Sequence, residues 1–230
     1  MKKMSKKRKE IISKIELVKK YEPIEAIQFL KNNTYVKFDE SLDISINLSI
    51  DVSKSDQNIR GVVNLPNGTG KTIKVAVIAK EENASLAKEK GADLVGDNEL
   101  IEKIEKGYTD FDILITSPDM MKLVSKLGKS LGPKGLMPNP KLGTVTNDIG
   151  KAVLNAKSGQ VQYKNDKSGI VHAGIGKIKF KEEELLENLK TFYEAIIKSK
   201  PDTVKGSFVK KVSIASTMGV GIEINTSGLH

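Results

Sequence analysis

The sequence predicts an α/β protein: an α+β domain assembled from both chain ends, residues 1–66 and 159–230, with a βαβ domain carrying a parallel sheet, residues 67–158, inserted into it. Three patterns carry this expectation. Leu42, Ile44, Ile46, Leu48 and Ile50 alternate strictly with Asp43, Ser45, Asn47 and Ser49, the signature of a strand with one buried and one solvated face. The same alternation returns after Ser158-Gly159, in 161–164 and 170–178. Between the two ends, short apolar runs alternate with helical stretches, which implies a parallel sheet covered on both faces.

Taken in order, Ile11, Ile12, Ile15 and Val18 recur at helical spacing among lysines over 5–20, a basic amphipathic helix. A second helix begins at Pro23, since proline suits the first helical position. Ile24, Ile27, Phe29 and Leu30 supply its buried face, and Asn32-Asn33 ends it. The alternating strand follows, with 60–65 as its expected partner, and Pro66-Asn67-Gly68 breaks the chain. In the insert, 74–79 reads as a buried strand, 81–90 as a helix, 92–95 as a short strand and 98–106 as a helix. Then come a strand at 111–116 and helices at 118–127 and 148–156, a Rossmann-like succession. Past the turn Asn165-Asp-Lys-Ser-Gly169, a long amphipathic helix spans 181–198 and stops near Pro201. Strands at 207–216 and 220–225 flank Thr217-Met218-Gly219. The two crossings between domains, near Leu65 and Gly159, make a hinge.

The chain carries 38 lysines and arginines against 29 acids, a net charge of +9 and a pI near 9.4, so a polyanion is the leading partner class. There is no cysteine, hence no disulfide framework and no thiolate metal site. No apolar stretch approaches the ~20 residues needed to cross a bilayer. The basic opening leads into a segment with Glu10 and Glu16 rather than an apolar core, so neither a signal peptide nor a transit peptide is expected, and the expected compartment is the cytoplasm.

Catalysis finds little support. His172 and His230 are the only imidazoles, and no serine elbow or metal-ligand set is present. No cofactor and no metal is expected. Gly68-Thr-Gly-Lys-Thr72 invites a nucleotide-binding, enzymatic reading. However, the glycine that the phosphate loop requires is replaced by Leu65, and a strand rather than a helix follows, so a plain turn with an exposed lysine is the better account. Asp110-Phe-Asp112 reads as a cap and turn. The run from Gly128 to Gly143 packs glycines, three prolines and three lysines with no acid, which predicts an ordered, non-helical loop able to meet an anion. Phe38, between Lys37 and Asp39-Glu40, could pack on the sheet or against a ribose or base. Thr217-Met218-Gly219 reads equally as a tight turn or as a place where another backbone approaches.

Together, Lys37-Phe-Asp-Glu-Ser41, Ser55-Asp-Gln-Asn-Ile-Arg-Gly61, Leu65-Pro-Asn-Gly-Thr-Gly-Lys-Thr72, Gly91-Ala-Asp93, Leu131-Gly-Pro-Lys-Gly-Leu-Met-Pro-Asn-Pro-Lys141, Asn165-Asp-Lys-Ser-Gly169 and Ser216-Thr-Met-Gly219 resemble the large-subunit ribosomal protein L-one family, bacterial type. The motifs stand in the family's order and span nearly the whole chain. The resemblance implies a two-domain protein, monomeric when free, of the mobile ribosomal stalk beside the tRNA exit site. It would bind stalk ribosomal RNA, take part in release of deacylated exit-site tRNA, and repress translation through its own messenger RNA. The implied RNA surface falls on Glu25, Lys37, Phe38, Thr217, Met218 and Gly219, with the basic amino terminus, Asp166, Lys167 and His172 beside it. Lys129, Lys134 and Lys141 are candidates for a secondary RNA or tRNA contact. Lys134 stands where many members have arginine, and Val220 where a proline or small residue is expected.

Overall fold

The computed structural model describes residues 6–16 and 19–229. Its elements run α1 Lys6–Ser13, α2 Pro23–Asn32, β1 Ser41–Leu48, β2 Arg60–Asn64, β3 Val75–Ile78, α3 Glu81–Glu89, β4 Leu94–Gly96, α4 Asn98–Glu105 and β5 Ile113–Thr116. There follow α5 Met121–Val124, α6 Gly128–Leu131, α7 Ile149–Lys157, β6 Gln160–Lys164, β7 Ile170–Lys177, α8 Glu182–Lys198, β8 Val209–Ser216 and β9 Ile222–Ile224. The α/β class is as expected. The chain divides into two compact units, Met1–Gly70 with Val161–His230, and Lys71–Gln160.

In the first unit an antiparallel sheet has the order β7-β1-β8-β9. The alternation in β1 does what its period dictates: Leu42, Ile44, Ile46 and Leu48 are buried in one core with Ala26, Ile27 and Leu30 of α2 and Leu185, Leu189, Phe192 and Ile196 of α8. Asp43, Ser45 and Asn47 project to the other face. The expected pairing of 60–65 with this strand does not occur. Both edges of β1 are taken by β7 and β8, and β2 joins β6 in a separate two-stranded sheet. That small sheet lies against α8, where Tyr163 meets Phe192 edge-on with ring centres 5.8 Å apart.

The helices depart from expectation in phase and length. In α2 the buried stripe is Pro23, Ala26, Ile27 and Leu30 at the i, i+3, i+4, i+7 spacing; Ile24 lies off it and is exposed. Helix α1 ends at Ser13 rather than Lys20. Lys14 N and Ile15 N close the end with bonds three residues back, and Tyr21 then donates its backbone N–H to Glu223 O, which requires extended chain. Val18 and the basic residues 1–5 lie outside the described residues.

In the second unit β4, β3 and β5 form a parallel sheet. Val75 and Val77 enter one core with Ala87, Ile149, Val153 and Ala156, from α3 and α7. Ala76 and Ile78 enter the other with Leu100, Ile101 and Ile104 of α4. Residues burying on both sides explain the unbroken apolar run. The expected 118–127 helix is a chain of short turns, with α5 between two 3₁₀ segments, and it continues into α6. The first four residues of the glycine-proline run are thus helical rather than loop, because Leu131 is drawn fully into the core. Beyond them Asn139 and Thr144 lock the run: Thr144 Oγ1 donates to Asn139 O and accepts from Asn139 N.

One buried polar group ties the first unit together. Asn188, fully buried on α8, accepts from Asn67 N at 3.1 Å and donates to Gly68 O at 3.0 Å and Ile175 O at 2.8 Å. Replacing it by alanine orphans backbone groups in the interior. Asn188→Ala is expected to cost about 2–4 kcal/mol in urea denaturation, far more than an exposed helix position.

Candidate nucleic-acid interface

The antiparallel register brings the start of β1 beside the end of β8, pairing Leu42 with Ser216. Two segments distant in sequence, 37–41 and 217–219, therefore become neighbours. Ser41 and Thr217 bond through both backbone and side chain: Thr217 N donates to Ser41 O at 3.1 Å and Ser41 N to Thr217 Oγ1 at 3.0 Å. The turn itself closes with Gly219 N on Ser216 O at 3.1 Å. A Cβ at position 219 would overlap Ser216 Oγ, so glycine permits this closure.

Around this turn the apolar side chains point outward. Phe38 is 54% exposed and Met218 46%, unusual for such residues in a chain poor in aromatics. Phe38 and Lys37 line an open groove of about 400 Å³ with Thr34, Val36, Asp39, Glu40, Ile178 and Lys179. Lys179 reaches Asp39 at 2.6 Å, which leaves Lys37 as an exposed basic edge. An aromatic plate, a thioether and lysines around a shallow groove suit a sugar or base beside a phosphate.

A second group occupies the polar face of the same sheet. His172 of β7 stands opposite Ser45 of β1, with its Nδ1 3.0 Å from Ser45 Oγ and its Nε2 3.7 Å from Asp166. The Asp166 carboxylate accepts from Ile170 N and Ser168 N, both at 2.8 Å, and so shapes the turn that exposes Lys167. Those backbone donors, Ile170 first, with His172 adding to them, hold the Asp166 carboxyl below its ordinary range. Asp43, two pairs further along β1 on the same face, is pushed up by burial, against the pull of Lys177 and His172. Four residues of strand, about 13 Å, separate Ser45 from Ser41.

The other expected residues make no bond to the turn among the described residues. Glu25 is exposed in the first turn of α2, near where Glu22 accepts from Asn225. It is Tyr35, beyond the other end of that helix, that reaches Met218, and no bond among the described residues links Glu25 to the turn. Lys129, Lys134 and Lys141 lie in the second unit, all exposed; Lys134 Nζ bonds Thr109 Oγ1 at 2.8 Å. Two residues of the turn's support, Tyr35 and Glu40, were missed by sequence reasoning. Glu40 stood inside a recognised motif, but its burial follows only from pairing.

The nucleotide reading fares no better in three dimensions. Gly68-Thr-Gly-Lys-Thr72 precedes β3 instead of joining a strand to a helix, and Lys71 Nζ sits 2.6 Å from Asp112. Asp112, expected to be a cap, also accepts from Lys74 N, so the Asp110–Asp112 turn is anchored to the start of β3. Among the described residues no group of His, Cys, Asp or Glu could hold a metal ion, and no helix is long and apolar enough to cross a membrane.

Comparison with known proteins adds a family. A model of the ribosomal protein L1p/L10e family matches residues 26–220. Over 229 residues, covering all of both chains, the sequence is 52% identical to the large ribosomal subunit protein uL1 of Actinobacillus succinogenes. It is 53% identical over the same span to the proteins of that name from Mannheimia succiniciproducens and Pasteurella multocida.

The lowered Asp166 pKa makes a prediction about acid. A carboxylate depressed by folding contributes stability above its unfolded pKa, about 3.9, and loses it as pH falls through the folded value. Wild type should therefore exceed Asp166→Asn in urea midpoint at pH 7, and the gap should shrink as acid protonates the folded carboxylate. A gap independent of pH would assign the turn's stability to other groups.

Proposed function

The chain belongs to the ribosomal protein L1p/L10e family, and from that premise we propose that it binds large-subunit stalk ribosomal RNA through the unit built from both chain ends. The family is one of structural proteins of the large ribosomal subunit, not of enzymes. The observation that supports the proposal best is the joining of residues 37–41 to the Thr217-Met218-Gly219 turn, which leaves Phe38 and Met218 exposed beside a groove edged by lysine.

In this reading lysines and the net charge of +9 steer the protein to RNA phosphates, while the rigid turn and Phe38 supply selectivity through sugar edges, 2′-hydroxyls and stacking. Lys37, Phe38, Thr217, Met218 and Gly219 form the primary contact. Asp166, Lys167 and His172 extend it along the sheet face, and Glu25 stands at its periphery. The exposed Lys129 and Lys141, with Lys134 nearby in sequence, serve a secondary contact with exit-site tRNA. The protein acts as a cytoplasmic monomer until it joins the ribosome, assists release of deacylated tRNA, and represses its own messenger through an RNA of similar shape.

Titration of a stalk ribosomal RNA transcript tests this. Wild type should bind it at least roughly a hundredfold tighter than an unrelated duplex at about 0.15 M salt. Met218→Ala should weaken that binding roughly tenfold or more while moving stability by less than about 0.5 kcal/mol, because the side chain is half exposed. Equal affinity for the unrelated duplex would discard the reading.

A further inference from the structure

The Met218 N–H and one lone pair of its carbonyl are already engaged within the protein. The Glu40 carboxylate, on a residue 3% exposed, accepts from Met218 N at 2.8 Å and from Ser216 Oγ at 3.2 Å. Tyr35 O–H donates to Met218 O at 3.0 Å. Glu40 is itself fixed, since its carbonyl accepts from Ile178 N at 3.0 Å. The neighbouring Thr217 hydroxyl is spent on Ser41, as acceptor at 3.0 Å and donor at 3.4 Å.

We infer that Glu40 and Tyr35 are positioning residues for RNA recognition: they clamp the Met218 backbone from both sides, so that the turn meets RNA with a fixed side chain and shape and without the Met218 N–H. The inference rests on the RNA-binding reading above and deepens it. It also names what the turn selects. A buried carboxylate directly behind the Met218 amide opposes a phosphate there, whereas Lys37, lining the same groove, favours a phosphate at the flank. The part of RNA suited to the turn is then the sugar edge, an uncharged surface with hydroxyls. Tyr35 and Glu40 need not touch RNA to matter. With either clamp gone, the Met218 peptide is free to rotate and the thioether loses its fixed direction.

The test compares Tyr35→Phe, Glu40→Gln and Glu40→Ala with wild type in the full chain, using the stalk ribosomal RNA transcript. Affinity, its salt slope, and amide hydrogen exchange at Met218 are read below the unfolding transition. Tyr35→Phe should weaken binding roughly fivefold and Glu40→Ala roughly fiftyfold. Glu40→Gln, whose amide oxygen still accepts from Met218 N, should stay within about fivefold of wild type. The salt slope should not change, because no phosphate contact is lost. Met218 exchange should quicken in the order of the affinity losses, a readout that general destabilisation would spread over the whole core. If Glu40→Ala does not fold, Tyr35→Phe and Glu40→Gln decide. Wild-type affinity in folded Tyr35→Phe, or a Glu40→Gln loss beyond tenfold without slower folding or lower stability, overturns the proposal. Failure of wild type itself to prefer the transcript is a different outcome: it removes the functional reading and this inference with it.

Discussion

Strand β1 is hydrogen-bonded along both edges by strands from the far part of the chain, and the first unit depends on that double pairing. Its register against β7 and β8 places Ser45 between His172 and Ser213, and Leu42 beside Ser216. The same register lays four aliphatic side chains onto α2 and α8, burying each at a gain of about 1.5–3 kcal/mol, and turns the polar residues to the opposite face. A slip by one residue would invert both faces and separate residues 37–41 from the Thr217–Gly219 turn. Core and candidate interface are thus two outcomes of a single alignment.

On the proposed reading, the candidate interface makes a basic chain selective. Charge is spread over lysines on both units, and charge alone discriminates poorly among nucleic acids. At the turn, by contrast, the N–H groups of Thr217, Met218 and Gly219 and the Thr217 hydroxyl are bonded internally, while the side chains of Phe38 and Met218 remain outside. Rigidity there lowers the ordering cost that a flexible loop would incur on binding. The polar sheet face beside it uses the same economy: Asp166 spends its carboxylate on its own turn and on His172.

Much of this was legible in the residues, and the failures have a common cause. The period-two alternation identifies β1 and its buried side because one face rests on a core. The buried runs of the middle segment identify a covered parallel sheet for the complementary reason. Partner choice is another matter. Residues 60–65 carry the local signal of a strand, yet they pair with β6, since the edges of β1 are claimed by chain more than a hundred residues away. Ile24 and Ile27 look alike in sequence, and only packing against the sheet sets which is buried. Leu131 overrides the glycines and proline around it for the same reason. The resemblance to a known family pointed to Phe38 and the 217–219 turn. Tyr35 and Glu40 remained invisible because their partners lie 183 and 178 residues away.

The closure of Ser41 on Thr217, across 176 residues, also has a consequence in time. Translation at ~5–20 residues per second puts about 9–35 s between the two ends of that bond. During the interval the middle unit, whose sheet is local, is fully synthesised before either neighbour of β1, first β7 and then β8, is made. The apolar face of β1 must wait in an exposed or chaperoned state. The turn at 217–219 does not exist until β8 has been made. A nascent chain that has not reached β8 therefore carries lysines but lacks this turn. On the proposed reading, capture of RNA by shape waits for β8 and the turn that follows it.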